Sequence, residues 1–264
     1  MQITPIRGFW APAGWCRDLL VAARLLTRLP LGRGSTARPA EPATHPARCY
    51  PLVGAGIGLL AGLAYGLAAW LALPPFAAAL AALTAAILVT GALHEDGLAD
   101  VADGFGGGSD PTGKLAIMRD SRIGTYGVVA LVLVLAVRGG SLAALAGPAS
   151  ALAALVTAHS LSRGGLATLM WALPPARSDG LAVATGRTGG ADALAGLAIG
   201  VVGALLLLDL EVAIVAILAT ATLQTGLALQ ARRQIGGITG DVLGAAQQLG
   251  EAAVLLVACS GATL

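Results

Sequence analysis

From Tyr50 to Leu73 the chain runs without a single charged side chain. A helix needs about 20 mostly apolar residues to cross the hydrocarbon core of a bilayer. Six further stretches have comparable length: 76–93, 125–145, 150–173, 191–208, 212–229 and 242–259. The alternative is a soluble helical core of unusual greasiness. Composition argues against it, because 11% of the residues are charged where a soluble domain carries about 25%. The fold class that follows is all-α, a polytopic transmembrane helical bundle of about seven spans.

The remaining segments are short. Residues 1–14 are irregular, with Pro5, Gly8, Pro12 and Gly14. From Trp15 to Leu29 apolar residues recur at helical spacing between arginines, which predicts an amphipathic helix lying on the membrane surface. The same arginines, with Asp18, break the apolar patch that a signal peptide would need. Residues 30–48, rich in Pro, Ala and Arg, read as a linker. The chain thus divides into a cytoplasmic N-terminal segment, 1–49, and a transmembrane catalytic domain, 50–264. Gly54, Gly56 and Gly58 in the first span offer a surface for close helix approach. Cys16, Cys49 and Cys259 form no C-x-x-C pair, so neither a disulfide framework nor a thiolate metal site is expected.

Orientation follows from the basic residues. With the N-terminus in the cytoplasm, seven spans put Lys114, Arg119, Arg122, Arg177, Arg187, Arg232 and Arg233 on the same side as the N-terminal arginines, which is the positive-inside pattern. Arg138, inside the third span, is the main exception. The expected location is the cytoplasmic (inner) membrane, with the long polar loops facing the cytoplasm. A net charge of +2 identifies no partner by itself, and nothing calls for nucleic acid.

The chemistry is concentrated after the second span. Of 14 acidic residues in the chain, Glu95, Asp96, Asp100, Asp103, Asp110 and Asp120 fall between positions 95 and 120. On a helix Asp96, Asp100 and Asp103 stand at i, i+4 and i+7 and stack on one face. Their mutual repulsion weakens the helix until a divalent cation is bound, and a row of hard oxygen donors suits Mg²⁺. Glu95 is a further ligand candidate, and His94 beside the carboxylates is a candidate general base. Gly97 and Gly104 would keep the backbone open to a bulky ligand. Lys114, Arg119 and Arg122 follow, and cations opposite a metal make a place for a pyrophosphate. The segment Gly108–Leu115 nearly spells a phosphate-binding P-loop. It has Leu115 where the Ser or Thr that holds Mg²⁺ belongs, and a span rather than a strand precedes it, so that reading fails.

Two later segments add candidates. His159 and Arg163 share one face of the fourth span, and a buried cation there needs a partner. The carboxylates at the cytoplasmic edge, or a phosphate bound to them, are the expected partners. In the loop 232–241, glycines expose N–H groups, Thr239 is placed to cap the last span, and Asp241 is placed near its first turn or a second metal.

Taken in order, these motifs resemble the cobalamin synthase family. Leu26-Thr27-Arg28-Leu29-Pro30 is similar to its N-terminal signature, and Tyr50-Pro51-Leu52-Val53-Gly54 to the start of its first span. His94 through Gly104 is similar to its most distinctive motif, and Met118 through Gly127 to the next. His159-Ser160-Leu161-Ser162-Arg163 and Gly236-Gly237-Ile238-Thr239-Gly240-Asp241 resemble later ones. The resemblance implies a membrane transferase of coenzyme B12 biosynthesis. It would join adenosylcobinamide-GDP to α-ribazole or α-ribazole 5′-phosphate, with Mg²⁺, and release GMP. Glu95, Asp96, Asp100 and Asp103 would then be metal ligands, His94 and these carboxylates the catalytic set, and Lys114, Arg119, Arg122, His159, Arg163 and Asp241 the substrate-binding set. The partners implied are the two small-molecule substrates and the lipid bilayer. The oligomeric state stays open, a homo-oligomer included.

Two other functions fit parts of the pattern. The carboxylate row is also similar to that of CDP-alcohol phosphotransferases, which make phospholipids, but it lacks their two further spaced aspartates. An ion-coupled transporter would use carboxylates too, yet here they cluster at one membrane edge instead of the midplane, where such sites lie.

Overall fold

The computed structural model describes residues 12–31, 45–145, 147–178 and 188–261. Residues 1–11 of the N-terminal segment, 32–44 of the expected linker, and 179–187 with Arg187 lie outside the described residues; residues 12–14, expected to be irregular, form the start of the first helix, whose Pro12 suits a first helical turn. Among those described, regular structure is helical: α1 Pro12–Leu26, a 3₁₀ turn Pro46–Cys49, α2 Tyr50–Trp70, α3 Pro75–Thr90, α4 Leu93–Gly107, α5 Pro111–Ile117, α6 Thr125–Ala144, α7 Pro148–Ala172, α8 Gly190–Leu207, α9 Leu210–Ile235 and α10 Gly240–Gly261. Each of the seven expected spans corresponds to one helix: α2, α3 and α6 to α10.

Five of these (α2, α6, α8, α9 and α10) are long and apolar enough to cross a membrane alone. Helix α3 reaches that standard only together with α4, from which it is bent by 89°. The bend falls where Gly91 (φ 65°) and Ala92 (φ 57°) adopt the left-handed conformation; Gly91 ends α3 as a C-cap glycine does. We treat α3 as the span and α4 as the segment that turns out of it. Helix α7 does not meet the standard, and its position explains why. It lies against α2, α8 and α10, so its polar residues face other helices rather than lipid. The outward surface is apolar: Leu133, Leu206 and Leu218 are 60%, 78% and 61% exposed. An exposed apolar surface of this extent marks a membrane-embedded protein.

Small residues set the packing. A Cβ on Gly54, Gly58 or Gly62 would strike the α7 chain at His159, Leu155 and Leu152 respectively, so this i, i+4, i+8 stripe brings α2 and α7 to near-backbone contact. The expected stripe was 54, 56 and 58. Gly56 instead faces open space, on the far side of the helix, because 3.6 residues complete a turn.

Helix α1 is amphipathic as expected, with Ala22 and Leu26 buried and Leu19 and Leu20 exposed. The last part of the expected linker is not a free tether. Arg48 is 2% exposed and pairs with Asp18 of α1 at 2.7 Å, while its guanidinium lies 4.3 Å from the Trp15 ring centroid. This buried pair docks α1 onto the start of α2.

Candidate active site

At one end of the bundle, α4 packs against α6 and α10. A Cβ on Gly97 would strike the backbone of Asp241. This glycine therefore does not open the backbone to a ligand; it lets α4 touch the first turn of α10. Gly104 plays the same part toward Met118 and Lys114. The close approach gathers Asp96, Asp100 and Asp241. Asp96 is exposed and Asp100 half-buried. Burial first, then the negative charges of Asp96 and Asp241, push the Asp100 carboxyl from its ordinary 3.8 up to about 7. A cluster that resists its own ionisation in this way is one that a cation would relieve.

Asp241 is held from several sides. Its Oδ2 accepts from Thr239 Oγ1 at 3.1 Å and stands 3.5 Å from Arg177 Nη1. Thr239 caps α10 as expected, accepting from the Val242 N–H at 3.2 Å. Arg177 also donates to the Leu115 carbonyl at 3.0 Å. Two backbone hydrogen bonds, Ala176 N–H to Ile238 O (2.8 Å) and Ile238 N–H to Pro174 O (2.9 Å), clamp the loop before α10 to the end of α7. Neither this clamp nor the pairing of Arg177 with Asp241 has a signal in the sequence beyond the inner-side charge of Arg177.

The row of carboxylates does not act as one unit. Asp103 is buried, and both its oxygens are engaged: Oδ2 accepts the Gly124 N–H at 2.7 Å and Oδ1 the Gly127 N–H at 2.9 Å. It satisfies the orphan donors at the start of α6 and complements the positive end of that helix. Glu95 points away from the row into the bundle, where its Oε1 lies 3.2 Å from Arg138 Nη1.

That ion pair belongs to a charged cluster inside the bundle. Arg138 of α6 donates through Nη1 to Glu95 and to Gln248 Oε1 (2.7 Å), and through Nη2 to Glu251 Oε1. The other oxygen of Glu251 accepts from Gln247 and stands 3.1 Å from His159 Nδ1 and 3.9 Å from Arg163 Nη1. Gln248 in turn donates to Glu95 Oε1 at 3.1 Å. Arg138, His159, Arg163, Gln247, Gln248 and Glu251 are each at most 1% exposed. Two arginines and two glutamates balance in charge. The partner of His159 and Arg163 is thus Glu251 of α10, not the carboxylates at the membrane edge. It also explains Arg138, the exception to the charge asymmetry.

His94 joins the two regions. Its Nδ1 is 3.5 Å from Arg163 Nη2. Guanidinium nitrogens only donate, so this contact requires a bare Nδ1 and leaves the imidazole proton on Nε2. His94 also lines a pocket of ≈140 Å³ between α1, α4, α7 and α10, with Leu25, Leu26, Tyr50, Leu93, Asp96, Leu166, Met170, Gly240, Asp241, Leu243 and Gly244.

The basic candidates sit around this end. Lys114 is half-buried in α5 and Arg119 is exposed. Asp110 caps α5, accepting the Gly113 N–H at 3.0 Å, which holds its carboxyl below the usual range; the P-loop-like segment is thus an ordinary helix start. Arg122 pairs on the surface with Asp120 at 2.7 Å, and the guanidinium holds that carboxyl down to about 2.

Among the described residues, no three His, Cys, Asp or Glu side chains form a ready-made metal cage. Mg²⁺ does not require one, since it keeps several waters and takes one or two carboxylates plus substrate phosphates. Asp96, Asp100 and Asp241 supply hard oxygen donors only, and the Asp100 carboxyl, raised first by burial and then by its two acidic neighbours, is one that a cation would relieve. The residues fit the ion.

An apolar exterior, a helical bundle and polar side chains gathered at one end define a polytopic membrane protein with a solvent-facing site. Residues 18–259 match the family described as cobalamin-5-phosphate synthase. The chain belongs to this family of enzymes. It is 45% identical over 244 residues to the adenosylcobinamide-GDP ribazoletransferase of Bradyrhizobium diazoefficiens, covering 92% of this chain and 93% of that one. The protein of the same name from Mesorhizobium japonicum is 45% identical over 247 residues (91% and 92%), and that from Brucella ovis 41% over 252 (92% and 96%). Neither a phospholipid synthase nor a transporter is among these relatives. No solved structure matches the chain.

Proposed function

We propose that the protein transfers the cobinamide phosphate of adenosylcobinamide-GDP to the hydroxyl of α-ribazole or its 5′-phosphate, releasing GMP, at the end of the bundle where α4 meets α10. The observation that carries this reading is the gathering of Asp96, Asp100 and Asp241 beside a pocket that Asp96, Asp241 and His94 line. In the reaction the ribose oxygen forms a bond to the phosphorus next to cobinamide. The bond from that phosphorus to the GMP oxygen breaks, and the hydroxyl proton passes to a base.

Asp96, Asp100 and Asp241 would hold Mg²⁺, which when bound neutralises charge on the pyrophosphate. Glu95 and Asp103, tied to Arg138 and to the start of α6, support the site from behind. Lys114 and Arg119 would bind phosphate oxygens, and Arg122 would do so where Asp120 releases it. With its proton on Nε2, His94 serves as a hydrogen-bond donor, and a carboxylate takes the hydroxyl proton. Arg163 fixes His94 in that form, and His159 holds Arg163. The site faces the cytoplasm from the inner membrane, in keeping with the excess of basic residues at this end.

The test is product analysis. Purified protein in detergent, given adenosylcobinamide-GDP and α-ribazole, is expected to yield GMP and adenosylcobalamin in equal amounts. Release of CMP from CDP-linked lipid precursors, with no conversion of the corrinoid, would refute the reading.

A further inference from the structure

The pocket's lining is of two chemical kinds. Leu25 and Leu26 come from α1, Tyr50 from α2, and Leu166 and Met170 from α7; together they make an apolar wall with one aromatic ring. His94, Asp96 and Asp241 supply its polar groups. Helix α1 closes the side, and the buried Asp18–Arg48 pair holds it there.

We infer that this pocket is the acceptor subsite: its apolar side chains take the flat heteroaromatic base of a ribazole-type nucleoside, and its polar side chains take the ribose hydroxyls. The inference rests on the function proposed above and assigns a place to one of its two substrates. Size separates them. A corrin macrocycle is several times larger than a benzimidazole, and the flat base is the better match for a pocket of ≈140 Å³; the corrinoid is then placed outside it, with its pyrophosphate toward Lys114 and Arg119. Chemistry separates the nucleoside from a lipid. An acyl chain would leave His94 and Asp96 facing hydrocarbon, which is costly. A nucleoside presents an apolar ring to the leucines and hydroxyl donors to the acids. It also places its hydroxyl beside the cluster that would hold the metal, as a near-attack arrangement requires.

Met170→Trp adds bulk among the apolar lining residues, and Leu25→Trp does so from the half-buried face of α1. Steady-state kinetics with each substrate varied in turn should show the KM for α-ribazole raised about tenfold or more, the scale on which pocket volume discriminates substrates. The KM for adenosylcobinamide-GDP should stay unchanged. Calorimetry without the corrinoid should show α-ribazole binding to the wild type and not to the variants. Leu206→Trp, on the outward surface away from the pocket, should keep wild-type values. If the wild type releases no GMP, the functional reading fails. If the wild type turns over and the folded variants keep its acceptor KM, or raise the donor KM instead, the subsite assignment falls. It falls equally if a lysophospholipid, and not α-ribazole, produces the binding heat that the variants abolish.

Discussion

Replacing Arg138 with methionine removes the cation at the centre of the internal cluster. Arg138 is 1% exposed and donates to Glu95, Gln248 and Glu251. Methionine fills much of the same volume, so the cavity cost is small. The electrostatic cost is not. Glu95 and Glu251 lose their shared partner, and Arg163, 3.9 Å from Glu251, is left as the one positive charge of the cluster. Breaking a buried pair by removing one member costs about 3–5 kcal/mol, because the other charge stays buried without compensation. That is a large part of a typical total stability of about 5–15 kcal/mol. At about 2–4 °C per kcal/mol for a chain of this size, the melting temperature in detergent should fall on the order of 10 °C. Arg138→Lys should fall less, since the charge remains while the forked donor geometry is lost. Adding Glu251→Gln to Arg138→Met should recover part of the loss, since that carboxylate no longer needs a partner. An Arg138→Met protein melting within about 2 °C of the wild type, well under the expected shift, would refute the reasoning.

Other outcomes are expected on the same grounds. Gly58→Val should prevent α2 from seating on α7 and leave little folded protein by size-exclusion chromatography, while Gly56→Val, facing open space, should behave as wild type. Asp18→Ala should strip Arg48 of its carboxylate and loosen α1; buried Cys49, unreactive in the wild type, should then be labelled by a thiol reagent. Asp100 keeps its proton in the folded chelator-treated protein up to about pH 7, against an ordinary 3.8. Its contribution to stability is therefore present at pH 4 and lost as pH rises toward 7. The melting temperature in chelator should fall across that window, and Mg²⁺ should recover it at neutral pH; a flat profile in chelator would count against the raised Asp100 carboxyl.

The helices were legible because a span must be long and apolar, and all seven correspond to the stretches 50–73 through 242–259. The carboxylate helix was legible too, because Asp96, Asp100 and Asp103 share a helical spacing. What spacing does not give is which neighbour a face meets. Asp103 was expected beside Asp100 as a ligand, yet Gly124 and Gly127 claim it from a helix that begins 22 positions later. The internal cluster pairs residues 43 to 113 positions apart around Arg138, a relation set by helix rotation and packing. Signals for it were present: Arg138 stood against the charge asymmetry, and Gln247, Gln248 and Glu251 interrupt an otherwise apolar span. Arg48 and Asp18 were hidden by the Pro-rich composition around residue 40, which suggested a tether and concealed a buried pair.

The account turns on Asp96, Asp100 and Asp241 forming the metal-dependent site. The direct measurement is GMP release from adenosylcobinamide-GDP and α-ribazole across a Mg²⁺ titration, for the wild type and for Asp100→Asn. The amide keeps the shape and loses the charge that holds the ion against water. The wild type should be inactive in chelator and saturate with Mg²⁺, and it should gain thermal stability over the same range. Asp100→Asn should fold, lose turnover and show a weakened Mg²⁺ response. A variant with wild-type turnover and an unchanged response to Mg²⁺ would contradict the account.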